Sequence, residues 1–216
     1  MKKILLLLLL SIGTYTLNAQ DTFVPETKLG VKGGVNLSSF SFNPSIDQTM
    51  TVGYTGGIVF KHINNPKLGI QAEINYLQRG WTETLVTGDT YTRDLQYVEL
   101  PLMTHIAFGE KKTRYILNFG PNASYLLAGG EGVEGSDTGE GVIAYQNKEI
   151  DNPFMFGLSF GVGVVRKTGF GDFQLEARYT QSLSNIFRSD INLVASRNQS
   201  IGITLAYLVD FSGGKN

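Results

Sequence analysis

Apolar and polar residues alternate with a period of two along most of the chain, which is the pattern of β-strands that have two different faces. Beyond the first twenty residues, apolar side chains recur at every second position in eight separate stretches. The predicted strands cover residues 29–38, 51–61, 68–79, 98–108, 114–127, 154–164, 173–180 and 200–211. No stretch in this part of the sequence is continuously apolar over the roughly 20 residues that a membrane-spanning helix needs. The pattern therefore predicts an all-β fold.

The connections between these strands alternate between short and long. Short turns follow the second, fourth and sixth strands, at residues 63–66, 110–112 and 168–171. Long loops are predicted at residues 40–50, 80–94, 128–152 and 184–196. Tight turns at one end and long loops at the other are typical of outer-membrane barrels. We therefore predict an eight-stranded antiparallel up-and-down transmembrane β-barrel with a polar, side-chain-filled lumen.

The polar face of each strand decides between a membrane barrel and a soluble one. In a soluble barrel or sandwich the large apolar residues form the core, whereas a transmembrane barrel turns them toward lipid. Here the polar face carries glycines, amides and charges of both signs, which is a set that a narrow lumen can hold. A soluble β-sandwich with an apolar core is the alternative. The predicted inward amides are Gln71, Asn75, Asn118, Asn122 and Gln174.

Charged residues of the polar face form a predicted ion-pair network inside the barrel. Buried charges need partners of opposite sign and hydrogen bonds, so we expect these side chains to plug the lumen. The candidates are Lys32, Glu73, Arg79, Glu99, Arg114, Glu176 and Arg178. Glu73 and Glu99 could instead act as an acid–base pair. The nearby arginines favour the plug.

Aromatic residues on the apolar face are predicted to form the two girdles at the membrane interfaces. The candidates are Tyr54, Tyr76, Phe108, Tyr115, Tyr125, Phe154, Tyr179 and Tyr207. The single tryptophan, Trp81, lies in the second long loop and is expected to be an interfacial anchor at the outer rim, with a partner-binding loop tip as the alternative.

The first nineteen residues are predicted to be a secretory signal peptide. Lys2 and Lys3 precede an apolar run, and small or polar residues follow it up to Ala19. The run is too short for a spanning helix. Residues 20–216 are accordingly predicted to form a single barrel domain.

Composition and charge exclude several classes of function. The formal net charge of −1 gives no basic field for nucleic acid. The chain has no cysteine, which excludes disulfides, thiolate metal sites and lipoprotein-type acylation. Charged residues make up 17%, against about 25% in ordinary soluble domains.

Four segments resemble the PorT-like outer-membrane β-barrel family of Bacteroidota. They are residues 18–20 with the sequence Asn-Ala-Gln at the end of the predicted signal peptide, residues 29–38, residues 97–102 with the sequence Tyr-Val-Glu-Leu-Pro-Leu, and residues 156–163. The resemblance implies an eight-stranded outer-membrane barrel, and the namesake of the family is linked to a secretion system for surface proteins. It implies no catalytic motif.

The expected function is that of a structural or adhesion-type outer-membrane protein whose extracellular loops form the interaction surface. A narrow channel for ions or small solutes and a lipid-modifying enzyme are the alternatives. The two histidines, His62 and His105, lie beside short turns, away from extracellular substrates, so no enzyme activity is predicted. No cofactor or metal is predicted. The expected partners are outer-membrane lipids, lipopolysaccharide and an extracellular or secretion-system protein.

Overall fold

In a computed structural model of the protein, eight strands form one closed antiparallel barrel. The structure describes residues 23–43, 45, 47–84, 88–109, 111–134, 149–188 and 195–212. The strands are β1 (Glu26–Asn43), β2 (Gln48–Asn65), β3 (Leu68–Thr84), β4 (Thr90–Phe108), β5 (Thr113–Glu134), β6 (Phe154–Thr168), β7 (Gly171–Ser182) and β8 (Ala195–Asp210). The predicted eight-stranded up-and-down barrel is therefore confirmed. Among the described residues, no helix has the length and apolarity to cross a membrane.

Each strand pairs with its neighbours in sequence, and the first strand pairs with the last to close the ring. The β1–β8 pairing runs from Lys28 opposite Asp210 to Asn43 opposite Ala195. Because the ring is closed, it leaves no free sheet edge around the band where all eight strands pair. We call the end with the short β2–β3, β4–β5 and β6–β7 connections the turn end, and the opposite end the loop end.

An apolar band surrounds the outside of the barrel, as the alternation predicts. In β1, Leu29, Val31, Val35 and Leu37 are exposed, whereas Lys32 and Asn36 on the other face of the strand are buried in the barrel. Seven of the eight predicted girdle aromatics are exposed, and Tyr207 is half-buried. Nine to eleven residues per strand within such a band suit a tilted strand that crosses a bilayer.

The strands are longer at the loop end than the sequence predicts. Residues 40–50 and 80–94 were predicted to be long loops, but β1 continues to Asn43 and β4 begins at Thr90. The prediction of loops was wrong because the two-residue alternation continues here with its faces exchanged: the apolar residues now lie on the inner face and the polar residues on the outer face. Phe40 and Phe42 continue the inward-facing positions of β1, and Ser41 and Asn43, at the alternate positions, are exposed. Beyond the lipid, a strand needs its apolar face inside and its polar face in water.

Several predicted segments lie outside the described residues. They include the signal peptide, residues 1–19, together with residues 135–148 and 189–194 of the third and fourth long loops. The described part of the fourth loop, up to Arg188, folds over the loop end of the barrel, as the next section describes.

Candidate functional site

The middle of the lumen is filled by an ion-pair network centred on Glu73. Its carboxylate accepts hydrogen bonds from Lys32 Nζ at 2.8 Å and from both terminal nitrogens of Arg178 at 2.7 and 2.9 Å. Gln71 and Asn75 donate to the same carboxylate at 2.6 and 2.8 Å. The Glu73 side chain is fully buried. Five donors therefore converge on one carboxylate in the interior.

Arg178 joins this group to a second carboxylate, that of Glu176. Arg178 Nε donates to Glu176 Oε1 at 2.7 Å. The other oxygen of Glu176 accepts from Asn118 and Gln174, both at 2.8 Å. The two strands β3 and β7 that carry Glu73 and Arg178 lie across the barrel from each other, so the contacts tie opposite walls together.

A separate pair lies closer to the loop end. Arg79 Nη2 donates to Glu99, and Ser124 Oγ donates to the same carboxylate oxygen at 3.2 Å. Glu73 and Glu99 thus each bond to one arginine, Arg178 and Arg79 respectively, which favours the plug over the acid–base pair considered above. Six of the seven predicted network residues are buried in the lumen and engaged with an opposite charge.

Arg114 is the exception and corrects the prediction. It is the second residue of β5, directly after the β4–β5 connection, and is only half-buried. Its Nη1 donates to the backbone carbonyl of Pro66 at 3.1 Å. The alternation assigns Arg114 to the correct face of its strand. Along the barrel axis, however, the residue lies at the turn end, away from the network.

Three lumen residues that the prediction omitted complete the filling toward the turn end. Lys28 Nζ lies 2.5 Å from Asp172 Oδ2, and the buried Lys61 donates to Gln174. All three residues occupy positions of the two-residue alternation that face the lumen, so the sequence pattern already indicated their inward direction. Next to them, Glu26 bonds to Lys28 and Lys167, each at 2.8 Å. Burial disfavours the charged form of Glu26, but these two lysines lower its pKa overall.

A buried, largely aromatic cluster lies inside the barrel at the loop end. We call it the aromatic seal; it consists of Phe40, Phe42, Leu77, Trp81, Tyr91, Leu95, Tyr97, Met155, Ile186 and Phe187. Trp81 is 0% exposed and packs edge-on against Phe40 and Phe42, with ring centroids 4.9 and 5.2 Å apart. The prediction of an interfacial anchor was therefore wrong: residue 81 has inward parity, like Arg79, and points away from lipid.

Ile186 and Phe187 enter the seal from the described part of the β7–β8 loop. Their backbone amides donate to Ser196, at its carbonyl and its hydroxyl oxygen respectively. The Ile186 carbonyl accepts from Asn152 at 3.0 Å. These bonds hold the segment against β8 and against Asn152, which precedes β6, so the seal includes loop residues that hydrogen bonds fix in place.

Two charged residues, Arg93 and Glu131, lie beside the aromatic seal. The Arg93 guanidinium lies 5.9 Å from the ring centroids of Trp81 and Phe187 and bonds to Glu131 at 2.8 Å. Tyr91 donates its hydroxyl to the same carboxylate at 2.8 Å. Burial, together with this hydrogen bond, raises the pKa of Tyr91.

The two histidines lie toward the turn end, with structural contacts. His105 is buried, and its Nδ1 lies 2.7 Å from Asn118 Oδ1. His62 Nδ1 lies 2.9 Å from the hydroxyl of Thr27. Within the described ranges, no group of three His, Asp or Glu residues is arranged to hold a metal ion.

Three solved structures illustrate what this chain is similar to. The outer membrane protein OprG from Pseudomonas aeruginosa is similar with a TM-score of 0.52 and 11% identity, over 84% of this chain and 95% of that chain. Neisserial surface protein A gives a TM-score of 0.46 and 12% identity, over 83% and 96%. Ail, the attachment invasion locus protein of Yersinia pestis, gives 0.42 and 10%, over 85% and 99%. At these identities the likeness concerns the fold alone.

No curated protein matches the sequence. A family model described as outer membrane protein beta-barrel domain matches residues 18–188, which is more than half of the chain. This match, the closed eight-stranded ring and its apolar outer band place the protein in the outer membrane. The chain belongs to the outer membrane protein beta-barrel domain family.

Proposed function

We propose that this outer-membrane protein is a closed, non-conducting barrel that acts as a structural or adhesion-type protein through its extracellular end. The observation that carries the proposal is that two successive groups of side chains occupy the lumen. The Glu73 network fills the middle of the barrel, and the aromatic seal lies above it. An ion would have to displace both in series. By the usual orientation of such barrels, the loop end faces the cell exterior.

The strand extension at the loop end supports a role in contact with other molecules. Beyond the apolar band, β4 and β5 remain paired as far as Thr90 opposite Glu134. Thr49, Thr82 and Thr92 stand directly opposite one another on β2, β3 and β4. Thr82 Oγ1 lies 3.3 Å from Thr92 Oγ1. The extension thus carries a neighbouring set of short hydroxyl side chains, a surface suited to polar partners.

The proposal includes the absence of enzyme activity. It rests on the position of His62 and His105 at the turn end and on their amide and hydroxyl contacts. A general base for lipid or peptide chemistry outside the cell would have to lie near the opposite end of the barrel.

We also infer membership of the PorT-like barrels of Bacteroidota, which the segments 29–38, 97–102 and 156–163 support. In that case the partners would be outer-membrane lipids and lipopolysaccharide around the apolar band, and an extracellular or secretion-system protein at the loop end.

Single-channel recording tests the closed lumen. The refolded protein is placed in planar bilayers, and heat-modifiable gel mobility provides the control for folding. We expect no conductance steps from the wild-type protein. We also expect none from Glu73→Ala, because the aromatic seal remains above the altered network. Stable, reproducible steps from the folded wild-type protein would replace this proposal with the narrow-channel alternative.

Surface display tests the adhesion role. Cells that express the barrel are compared with cells that lack it for attachment to one another and to a solid surface. The variant Thr49→Lys/Thr84→Lys alters two exposed positions of the extension, and Asn64→Lys alters an exposed position at the turn end. We expect attachment to require the barrel, to fall in the double variant and to persist with Asn64→Lys. Equal attachment with and without the barrel would leave only the structural role.

A further inference from the structure

A groove crosses the lipid-facing wall of β5, β6 and β7. Its volume is about 370 Å³, which lies within the range of about 300–1,000 Å³ that is usual for small-molecule sites. The floor of the groove is backbone at Gly120 and Ser159, which are directly paired. Gly120 has no side chain, and the Ser159 hydroxyl accepts a hydrogen bond from Asn122 in the lumen at 2.9 Å. The groove is therefore a depression in the apolar band.

Two rows of outward-facing side chains form the walls of the groove. Phe119, Phe160 and Tyr179 stand opposite one another on the three strands, and all three are exposed. Leu158 and Gln181 form the second wall, also opposite each other and nearer the loop end. The Tyr179 hydroxyl donates to Gln181 Oε1 at 2.7 Å. The walls are thus apolar on β5 and β6, and their polar groups lie at the β7 end.

The groove rises through the membrane band toward the loop end. On β5, lipid-facing apolar positions continue above Phe119 to Leu127. On β7, by contrast, the next outward-facing residue above Tyr179 is the polar Gln181. Phe119 therefore lies deep in the apolar band, and Gln181 lies at its border. A hydrocarbon chain in this groove would enter from the head-group level near Gln181 and end near Phe119.

A cation lies beyond the end of the groove that is nearest the head groups. Gln199 of β8 stands opposite Gln181, and Arg197 is the next residue on the same face toward the loop end. Successive residues on one face of a strand are about 7 Å apart. Arg197 is exposed, and its guanidinium has no partner within the part of the chain that the structure describes. A guanidinium is well suited to bind a phosphate with two hydrogen bonds.

We propose that the groove and Arg197 bind one molecule of lipid A, the phosphorylated glycolipid of lipopolysaccharide, with an acyl chain in the groove and a phosphate at Arg197. A free phosphate would leave the groove empty, and an uncharged lipid would leave Arg197 without a partner. The site deepens the proposed function and rests on its orientation, in which the loop end faces the cell exterior and the groove opens into the outer leaflet.

Native mass spectrometry of the refolded protein in detergent tests the groove, with purified lipid A as the probe. Leu158→Ala/Phe160→Ala removes parts of both walls. Leu175→Ala/Phe60→Ala removes the same side-chain types from exposed positions outside the groove. We expect one bound lipid A on the wild-type protein and on the second variant, and about tenfold weaker binding to the first, because hydrocarbon contacts are lost. Equal binding by the two variants, each shown to be folded by heat-modifiable mobility, would overturn the proposal.

A second pair of variants tests the phosphate contact. Arg197→Gln removes the cation, and Arg166→Gln removes an exposed arginine at the turn end. We expect about tenfold weaker binding of lipid A to Arg197→Gln and unchanged binding to Arg166→Gln. Unchanged binding to Arg197→Gln, or equal affinity of the wild-type protein for phosphatidylglycerol, would overturn the lipid A site.

The failure of this site and the failure of the proposed function are distinguishable. The mass measurement records lipid binding and depends neither on conductance nor on attachment of cells. Conductance steps, or attachment that does not require the barrel, would reject the proposed function and leave the lipid A site in place. Loss of the lipid A site would leave the closed barrel and its adhesion role in place.

Discussion

Replacement of Glu73 by glutamine should be among the most destabilising single changes in the lumen. The variant keeps the shape of the side chain but removes the charge that faces Lys32 and Arg178. It also places an amide group, itself a donor, among five donors that now point at a carboxylate. Arg178 keeps its contact with Glu176, but Lys32 loses its carboxylate partner.

The expected magnitude follows from the cost of an uncompensated buried charge. Removal of one partner of a buried ion pair typically costs about 3–5 kcal/mol of folding free energy. Because Arg178 retains Glu176, we expect a loss of about 3 kcal/mol for Glu73→Gln. The matched variant Glu99→Gln also leaves one cation, Arg79, without its carboxylate, but it disturbs two hydrogen bonds to the carboxylate, from Arg79 and Ser124, instead of five, so its loss should be smaller.

Unfolding by guanidinium in lipid vesicles measures both losses. Trp81 is the single tryptophan and is fully buried in the aromatic seal, so its fluorescence reports on folding. The free energy of unfolding of Glu73→Gln should lie clearly below those of Glu99→Gln and the wild-type protein. A loss below about 1 kcal/mol, or an equal loss in Glu99→Gln, would show that the Glu73 network does not stabilise the barrel in this way.

Three further predictions concern the seal and the turn end. Phe187→Ala should lower the free energy of unfolding by about 3–5 kcal/mol, because it removes a buried aromatic ring. Leu183→Ala, at an exposed position of the same loop, should have little effect. Trp81 fluorescence during denaturation measures the stability of both variants. Brominated lipids should leave Trp81 fluorescence unquenched, because the ring lies inside the barrel. Strong quenching would instead show that the ring lies at the lipid interface. The pKa of Glu26 is lowered in the folded state, so its contribution to stability is present above its ordinary pKa of 4.5 and is lost as the pH falls through the folded-state pKa. The free energies of unfolding of the wild-type protein and of Glu26→Gln should therefore become equal in acid.

Much of the lumen could be predicted from the alternation, because parity along a strand fixes which face a residue occupies. Lys32, Glu73 and Arg178 were assigned inward on this basis, and they lie there. Parity does not give the level of a residue along the barrel axis. Arg114 was therefore placed in the network, although it lies at the turn end beside Pro66.

The aromatic seal was missed for a related reason. Phe40, Phe42 and Trp81 continue the inward parity of β1 and β3, but the apolar residues now occupy the face that is polar lower in the barrel. An alternation with apolar residues outward along the whole strand predicts a loop where the apolar residues change face. The sequence alone predicts the inward position of these residues if one continuous strand is assumed to extend from the lipid band into the aqueous region.

By itself, the sequence determined the number of strands, their order and the inward or outward direction of most side chains, because the two-residue period of a strand is a local property of the chain. The tertiary structure decided which inward residues meet. Glu73 and Arg178 are 105 residues apart and contact each other only because β1 pairs with β8 and brings distant strands around a common axis. The same closure creates the water-excluding interior above the membrane band, where aromatic side chains pack together rather than facing lipid.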